Sequence, residues 1–232
     1  MKVGIVSDIH GNSDALSVVV DQLEALGIKS LLVAGDTVGY YYNIVLVRQL
    51  LSRFQLIEVR GNHEDQILSE DELEWREYES KYGSGLRRNR VDLKQDGLDY
   101  IRTLTHPLTK EVLGRKITVA HGSPWNIGEY LYQDSDQATW KRALEFETDV
   151  LVLGHTHHQM IRKSNGKLIV NPGSVGQNRS AKSVADWAIL DLASMSVEFK
   201  STPYSSASLL AQCEKFDPGL DILIRHLSPV TK

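Results

Sequence analysis

Ser7-Asp8-Ile9-His10-Gly11-Asn12 follows directly on the apolar run Val3 to Val6. A carboxylate and an imidazole two residues apart at the end of a strand point the same way under strand periodicity, and together they can hold one metal ion. As an isolated pair they are equally a capped loop. Four further stretches change that reading: Gly35-Asp36, Gly61-Asn62-His63-Glu64, His121-Gly122 and Gly154-His155-Thr156-His157. Together the five predict one site assembled from five loops.

Outward from the first stretch the chain alternates. Lys2 to Ser7 reads as a buried strand, and Ser13 to Leu26 as a helix with Leu16, Val19, Val20, Leu23 and Leu26 on one face. Asn12 or Ser13 can cap that helix, and Gly27 ends it. Strand Ser30 to Ala34, a helix from about Ile44 to Arg53 and strand Leu56 to Val59 repeat the pattern. Strands alternating with amphipathic helices imply right-handed crossovers and a parallel sheet, whose ligands bind beyond the carboxyl ends of the strands. Asp8, His10, Asp36, Asn62 and His63 all fall there.

From Asp65 to about Thr109 the alternation lapses into a helical insertion. Acidic residues from Glu70 to Glu79 give way to Lys81, Arg87, Arg88 and Arg90, and a second helix runs from about Leu93 to Leu104. After it the chain turns β-rich, with strands at Lys110 to Val112, Lys116 to Ala120 and Val150 to Leu153. Asn165-Gly166 signals a hairpin between Gln159 to Lys163 and Lys167 to Val170. Trp187 to Asp191 and Ser196 to Lys200 are expected to close a second sheet. The resulting organisation is one domain over residues 1–204 with the insertion at about 65–109, followed by a tail, 205–232, able to form short helices broken at Pro218-Gly219.

With 232 residues, 41% hydrophobic and 24% charged, the chain can bury a substantial core. Its net charge of -4 offers no general attraction to nucleic acid or to acidic membranes, so any affinity for phosphate has to be local. The lone Cys213 excludes an intrachain disulfide framework and a thiolate metal cluster, and it reads as a structural thiol. Neither a secretory signal nor a membrane-length apolar run is present, from which a cytoplasmic location is expected.

Oxygen and nitrogen donors without thiolates suit Mn, Fe, Ni, Zn or Mg. Asp8, His10, Asp36, Asn62, His121, His155 and His157 outnumber the three or four protein ligands of one metal. A carboxylate shared between two ions holds a pair, and ions roughly 3.5 to 4 Å apart can clamp both oxygens of a phosphoryl displacement. Two divalent ions against Asp8 and Asp36 leave a net positive site that favours an anionic phosphate and acidifies a bridging water.

The ordered set Asp-x-His, Gly-Asp, Gly-Asn-His-Glu, His-Gly, Gly-His-Thr-His resembles the calcineurin-like metallophosphoesterase superfamily, and it spans Asp8 to His157. His121-Gly122-Ser123-Pro124 and Asn171-Pro172-Gly173-Ser174-Val175-Gly176 resemble its compact bacterial and archaeal branch. The resemblance implies a two-sheet sandwich flanked by helices (αββα). It implies two divalent ions, manganese expected first: one on Asp8, His10, Asp36 and His157, the other on Asp36, Asn62, His121 and His155, with Asp36 bridging. His63 would then protonate the leaving oxygen, or steady the phosphoryl oxygens, while a metal-bridging hydroxide attacks phosphorus in line, with the general-acid role preferred.

One departure from the family matters. Its protein phosphatases follow the Gly-Asp motif with an Arg-Gly pair that grips phosphate and pair the catalytic histidine with an aspartate three residues beyond the bridging one. Gly35-Asp36-Thr37-Val38-Gly39-Tyr40 has neither. Hydrolysis of a phosphodiester or small phosphate ester is therefore ranked above protein dephosphorylation; within it a phosphodiesterase is favoured, with a phosphomonoesterase or nucleotide pyrophosphatase as the alternative and a non-catalytic interaction module on the same fold behind both. A nuclease would want a basic groove. Arg87, Arg88 and Arg90 are weak substrate-binding candidates, set against a solvated charged helix end. Trp75, Tyr78 and Tyr82 either stack on a base or, as their helical spacing favours, pack the insertion onto the body. Asn171 to Ser174 reads first as a turn, and His106, His158 and His226 as surface residues.

Overall fold

The computed structural model describes residues 1–164 and 166–227. The chain opens with β1 (Lys2–Val6), α1 (Ser13–Ala25), β2 (Ser30–Val33), α2 (Ile44–Leu51) and β3 (Gln55–Glu58). Three helices follow, α3 (Asn62–Ile67), α4 (Glu72–Tyr82) and α5 (Gly85–Thr103), before β4 (Leu108–Val112), β5 (Arg115–Val119), α6 (Gln137–Glu145) and β6 (Val150–Val152). The hairpin β7 (Gln159–Ser164) and β8 (Lys167–Pro172), the strands β9 (Val184–Asp191) and β10 (Ser196–Pro203), and α7 (Ala207–Phe216) and α8 (Asp221–Ile224) complete it.

Among the described residues there are two five-stranded sheets, ordered β10-β9-β1-β2-β3 and β4-β5-β6-β8-β7. The β1, β2 and β3 trio is parallel, as the alternation predicts, and so is β5, β6 and β8 in the other sheet. Strand alternation sorts the side chains into layers. Val3, Ile5, Leu32 and Ala34 from one sheet meet Ile117, Val119, Val150, Val152, Leu168 and Val170 from the other in a buried inter-sheet core. The opposite faces are covered by helices: Val6, Leu31 and Val33 pack with Leu16, Val19, Val20 and Leu23 of α1 and Val47 and Leu51 of α2. Leu151 and Ile169 pack with Trp140 and Ala143 of α6. The expected sandwich of two sheets between helices is what the chain forms.

Three expectations need correcting. Trp187 to Asp191 and Ser196 to Lys200 do not close a second sheet: β9 runs antiparallel to β1, with Ile5 opposite Ala188, and β10 pairs on β9, so both extend the first sheet and make it mixed. A buried alternating strand reads alike on either sheet, and only its long-range register decides. The segment after Asp65 holds a further helical stretch from Gly85, unforeseen in the sequence, which a break at Lys94 (φ 54°) separates from the expected helix that runs on to Thr103. Leu26 is not part of the buried face of α1; it lies beyond the last turn and is exposed. The Asn12 side chain caps α1 by accepting from the Ala15 amide at 3.0 Å. Of the hairpin signal, Asn165 lies outside the described residues. No helix among the described residues is long and apolar enough to cross a membrane.

Candidate metal centre

The parallel strands of both sheets end at one edge, and their following loops carry the predicted donors. Asp8 follows β1, Asp36 follows β2, Asn62 opens α3 after β3, His121 follows β5, and His155 and His157 follow β6. Strand alternation is not what aims Asp8 and His10 together. Both lie beyond β1 with φ of 54° and 52°, and Asp36, His155 and His157 share that left-handed backbone at 54°, 67° and 61°. Non-glycine residues there cost on the order of 1–3 kcal/mol each and persist only where their surroundings over-determine them.

The surroundings here are backbone bonds between loops. The Asp8 amide donates to Gly35 O (3.1 Å), His10 to Asp36 O (2.9 Å), Gly154 to His121 O (2.7 Å) and Gly176 to Asp8 O (3.0 Å). Asn171 and Ser174 reinforce them, since Asn171 Nδ2 donates to Gly154 O at 2.7 Å and Ser174 Oγ to Asp8 O at 2.8 Å. The Asn-Pro-Gly-Ser stretch is thus more than a turn: it ties the β1 loop to the β6 loop beneath the donors. Glu64 has a comparable task that the sequence reading left unassigned. Its buried carboxylate accepts from the amides of Asp36 (2.8 Å), Thr37 (2.7 Å), Val38 (3.2 Å) and Gly61 (2.8 Å), clamping the loops after β2 and β3. Burial and Asp36 push its pKa up to about 7, while those donors favour the ionised form.

The donor atoms converge. His157 Nε2 is 3.2 Å from Asp8 Oδ1 and 3.2 Å from His10 Nε2, and His10 Nε2 is 3.9 Å from Asp36 Oδ2. On the other side, His121 Nε2 lies 3.1 Å from Asp36 Oδ2, 3.0 Å from Asn62 Oδ1 and 3.1 Å from His155 Nδ1. Asp8, His10 and His157 form one group able to hold an ion, and Asp36, His121 and His155 another. His63 forms a third such group with His10 and Asp36, its Nε2 at 3.7 Å from Asp36 Oδ2.

The ring nitrogens turned away from this centre face carbonyls. His10 Nδ1 meets Val38 O at 3.2 Å, His121 Nδ1 meets Ala34 O at 2.8 Å, His157 Nδ1 meets Gln177 O at 2.7 Å and His155 Nε2 meets Gly128 O at 3.2 Å. Carbonyls accept only, so each holds its imidazole's proton outward and turns the other nitrogen's lone pair inward, as a metal requires. Two such lone pairs 3.2 Å apart, on His10 and His157, repel unless a cation lies between them. Asp8 Oδ1, buried and without a hydrogen-bond partner among the described residues, faces the same point. The donor set fits divalent cations.

The electrostatics agree. Burial first, then neighbouring His63, holds His10 well below its usual pKa, and burial with His121 lowers His155 to about 4. Both imidazoles are thereby kept neutral, the form that ligates. Burial opposes charge on His121 too, yet Asp36 raises it to about 10. Asp36 is itself drawn down by His121 and His63 against its burial. Positive charge is what this carboxylate environment stabilises.

A cavity of about 260 Å³ opens over the centre, lined by Asp36, Asn62, His63, His155 and His157 and walled by Tyr40, Tyr78, Tyr82, Tyr130 and Arg179. Tyr130 stacks on His155 with centroids 4.0 Å apart. Of these wall residues only Tyr78 and Tyr82 stood out in the sequence. Tyr40, Tyr130 and Arg179 carry no motif of their own, although Arg179 lies five residues beyond Ser174 of the Asn-Pro-Gly-Ser stretch. Trp75 is buried in the core, as packing requires, but Tyr78 reaches His63.

Arg87, Arg88 and Arg90 are not brought to this cavity. Arg87 pairs with Glu79 at 2.7 Å, Arg90 with Glu70 at 2.8 Å, and Arg88 lies 3.9 Å above the Phe216 ring. They knit α4, α5 and α7 together. His106, His158 and His226 are half-buried, His158 against Ser180, and none of them is in the donor groups.

The calcineurin-like phosphoesterase superfamily domain matches residues 1–195. An uncharacterized protein of Methanocaldococcus jannaschii is 27% identical over 220 residues, 87% of each chain. The crystal structure of a metallophosphoesterase from Sphaerobacter thermophilus superposes with a TM-score of 0.81 at 25% identity, covering 97% of this chain and 98% of that one. A structure described as a novel archaeal phosphodiesterase, at 17% identity and a TM-score of 0.54 over 87% of this chain and 99% of that one, shares the fold. A domain match over most of the length, on a chain whose loops gather the donors described above, has one meaning: this protein belongs to the calcineurin-like phosphoesterase superfamily.

Proposed function

We propose that this protein is a dinuclear metal-dependent phosphoesterase that prefers singly charged phosphodiesters. Asp8, His10, Asp36 and His157 would hold one divalent ion, and Asp36, Asn62, His121 and His155 the other. Bound there, the ions supply Lewis acidity that activates water and neutralises phosphoryl charge. The observation that carries the reading is the position of the Asp36 carboxylate, 3.1 Å from His121 Nε2 on one side and 3.9 Å from His10 Nε2 on the other, as a shared ligand demands.

The chain's own groups have three tasks. Glu64 fixes the loop that presents Asp36. Tyr40, Tyr78, Tyr82 and Tyr130 wall the cavity and give the organic parts of an ester apolar ring surface. His63, outside both ligand sets, offers a proton to the leaving oxygen.

The diester preference rests on charge. In the family's protein phosphatases an arginine after the Gly-Asp motif grips the phosphate, whereas here Gly39 and Tyr40 follow, and among the described residues Arg179 is the one arginine or lysine on the cavity wall. One guanidinium matches the single negative charge of a diester better than the two of a monoester. The archaeal phosphodiesterase that shares the fold is consistent with this choice.

The test is steady-state hydrolysis of bis-p-nitrophenyl phosphate and p-nitrophenyl phosphate by the purified protein with Mn, Fe, Ni, Zn or Mg added in turn. A kcat/KM at least about tenfold higher for the diester is expected, with His63→Ala lowering kcat by on the order of 10²-fold or more. Monoester turnover alone would overturn the diester assignment. No turnover of any ester with any metal would leave the interaction-module reading in its place.

A further inference from the structure

Tyr130-Leu131-Tyr132 lies in the stretch between β5 and α6. Leu131 is buried with Ala120, Trp140 and Leu153, while the tyrosines on either side of it are 47% and 37% exposed. Among the described residues neither tyrosine packs into an apolar core, so burial does not account for them. Their rings are parallel to within 5° with centroids 5.7 Å apart, and Tyr130 also lies on His155 at 4.0 Å. The backbone beneath them is fixed. Gly128 O faces His155 Nε2 at 3.2 Å, the Tyr132 amide donates to Ser135 Oγ at 2.9 Å, and the Tyr132 carbonyl accepts from the Ser135 amide at 3.0 Å. Two exposed rings are thus held in one orientation at the rim of the cavity that Tyr130 lines.

The tyrosines around the centre fall into two sets. Tyr82 lies 5.5 Å from Tyr40 and 5.0 Å from Tyr78, and Tyr40 and Tyr78 lie 5.1 and 5.6 Å from His63, all between ring centroids. Tyr130 and Tyr132 stand on the side of His155. A phosphodiester carries two organic arms, and with its leaving oxygen at His63 the departing arm falls to the first set. We propose that Tyr130 and Tyr132 form a stacking platform for the other arm, the one that stays on phosphorus, and that this arm is a flat aromatic or heteroaromatic group. The inference rests on the reading of the protein as a diesterase whose leaving group departs at His63. A flat ring laid on these two parallel rings gains more than the area it buries, whereas an alkyl group of similar size gains the area alone. Because the platform is already ordered before the ester arrives, little of that gain is spent on fixing side chains.

Benzyl p-nitrophenyl phosphate and cyclohexylmethyl p-nitrophenyl phosphate share a leaving group and differ in whether the retained arm is flat. For the metal-loaded wild-type protein, KM should be about 3- to 10-fold lower for the benzyl ester, with kcat within about twofold. Tyr132 is the residue to vary, since Tyr130 touches the metal donor His155 and Tyr132 does not. Tyr132→Leu keeps apolar bulk but removes the ring: it should raise KM for the benzyl ester to that of the cyclohexylmethyl ester, whose own KM stays within about twofold. Tyr132→Phe should retain the wild-type preference. Equal KM values for the two esters in the wild type, a rise in Tyr132→Leu that is the same for both, a preference that survives Tyr132→Leu, or one lost in Tyr132→Phe overturns the platform, while hydrolysis of the esters leaves the diesterase standing. Hydrolysis of neither ester overturns the diesterase reading and the platform with it.

Discussion

Arg179 lines the cavity and makes no ion pair or hydrogen bond among the described residues, two positions beyond Gln177, whose carbonyl receives His157 Nδ1. Its backbone is thus registered against a metal donor while its guanidinium stays available for a phosphoryl oxygen. A charge-assisted bond of this kind contributes roughly 1.5–3 kcal/mol. Arg179→Ala is accordingly expected to raise KM for a diester about 10- to 100-fold with kcat within about threefold, and Arg179→Lys, which keeps the charge but not the fork, to recover part of it. Unchanged KM in Arg179→Ala would remove it from the substrate site. The contrast with the donors explains what could be read from the sequence. Asp8, His10, Asp36 and His157 sit in short motifs whose residue types already imply metal chemistry. Arg179, Tyr40 and Tyr130 gain their meaning only from the cavity they wall, and a lone arginine or tyrosine has no local signature of that.

At the scale of elements, β3, α2 and α5 are joined through one buried acid. Glu58, with a side chain 2% exposed, pairs with Arg48 at 2.6 Å and accepts from the Tyr100 hydroxyl at 2.6 Å, and Arg48 lies 4.4 Å over the Tyr100 ring. Glu58→Ala strands the guanidinium and the phenol together, and a loss of about 3 kcal/mol is expected in urea denaturation. A loss below about 1 kcal/mol would show the cluster to be dispensable. In the tail, α7 buries Cys213 beside Tyr42 with Leu209 and Leu223. Burial pushes the thiol up to about 11. It should therefore resist iodoacetamide at pH 8 until the protein unfolds. Its folded pKa lies above the unfolded value of about 8.5, so the folded state holds the proton longer and stability falls as pH climbs from there toward 11. Cys213→Ala should flatten that part of the profile; rapid native alkylation at pH 8 would contradict the burial. The α1 and α2 periods and the β1 to β3 repeat were legible because each is a local pattern. The placement of β9 on β1 was not, since Ala188 pairs with Ile5 across almost the whole chain. Nor was the start of α5, where Arg87, Arg88 and Asn89 show no apolar period and the helix is held by Asn89 bonding Gly39 and Tyr41.

At the scale of the molecule, two sheets packed face to face bring the ends of β1, β2, β3, β5 and β6 to one edge, and no single loop carries a complete site. That is why the fold and the centre stand or fall together, and why five short motifs in order were informative where each alone was not. The helices after β3 and the stretch between β5 and α6 add Tyr78, Tyr82 and Tyr130 to the cavity wall, the part with the weakest sequence signal. We read residues 1–204 as one catalytic unit with α4 and α5 inserted over the cavity. Everything rests on Asp36 being shared between two ions. Metal content by plasma emission spectrometry, after loading with manganese and desalting, measures that directly: the account predicts two equivalents in the wild-type chain and in His63→Ala, with both lost or sharply weakened in Asp36→Asn. One equivalent in the wild type, or two retained in Asp36→Asn, would contradict it.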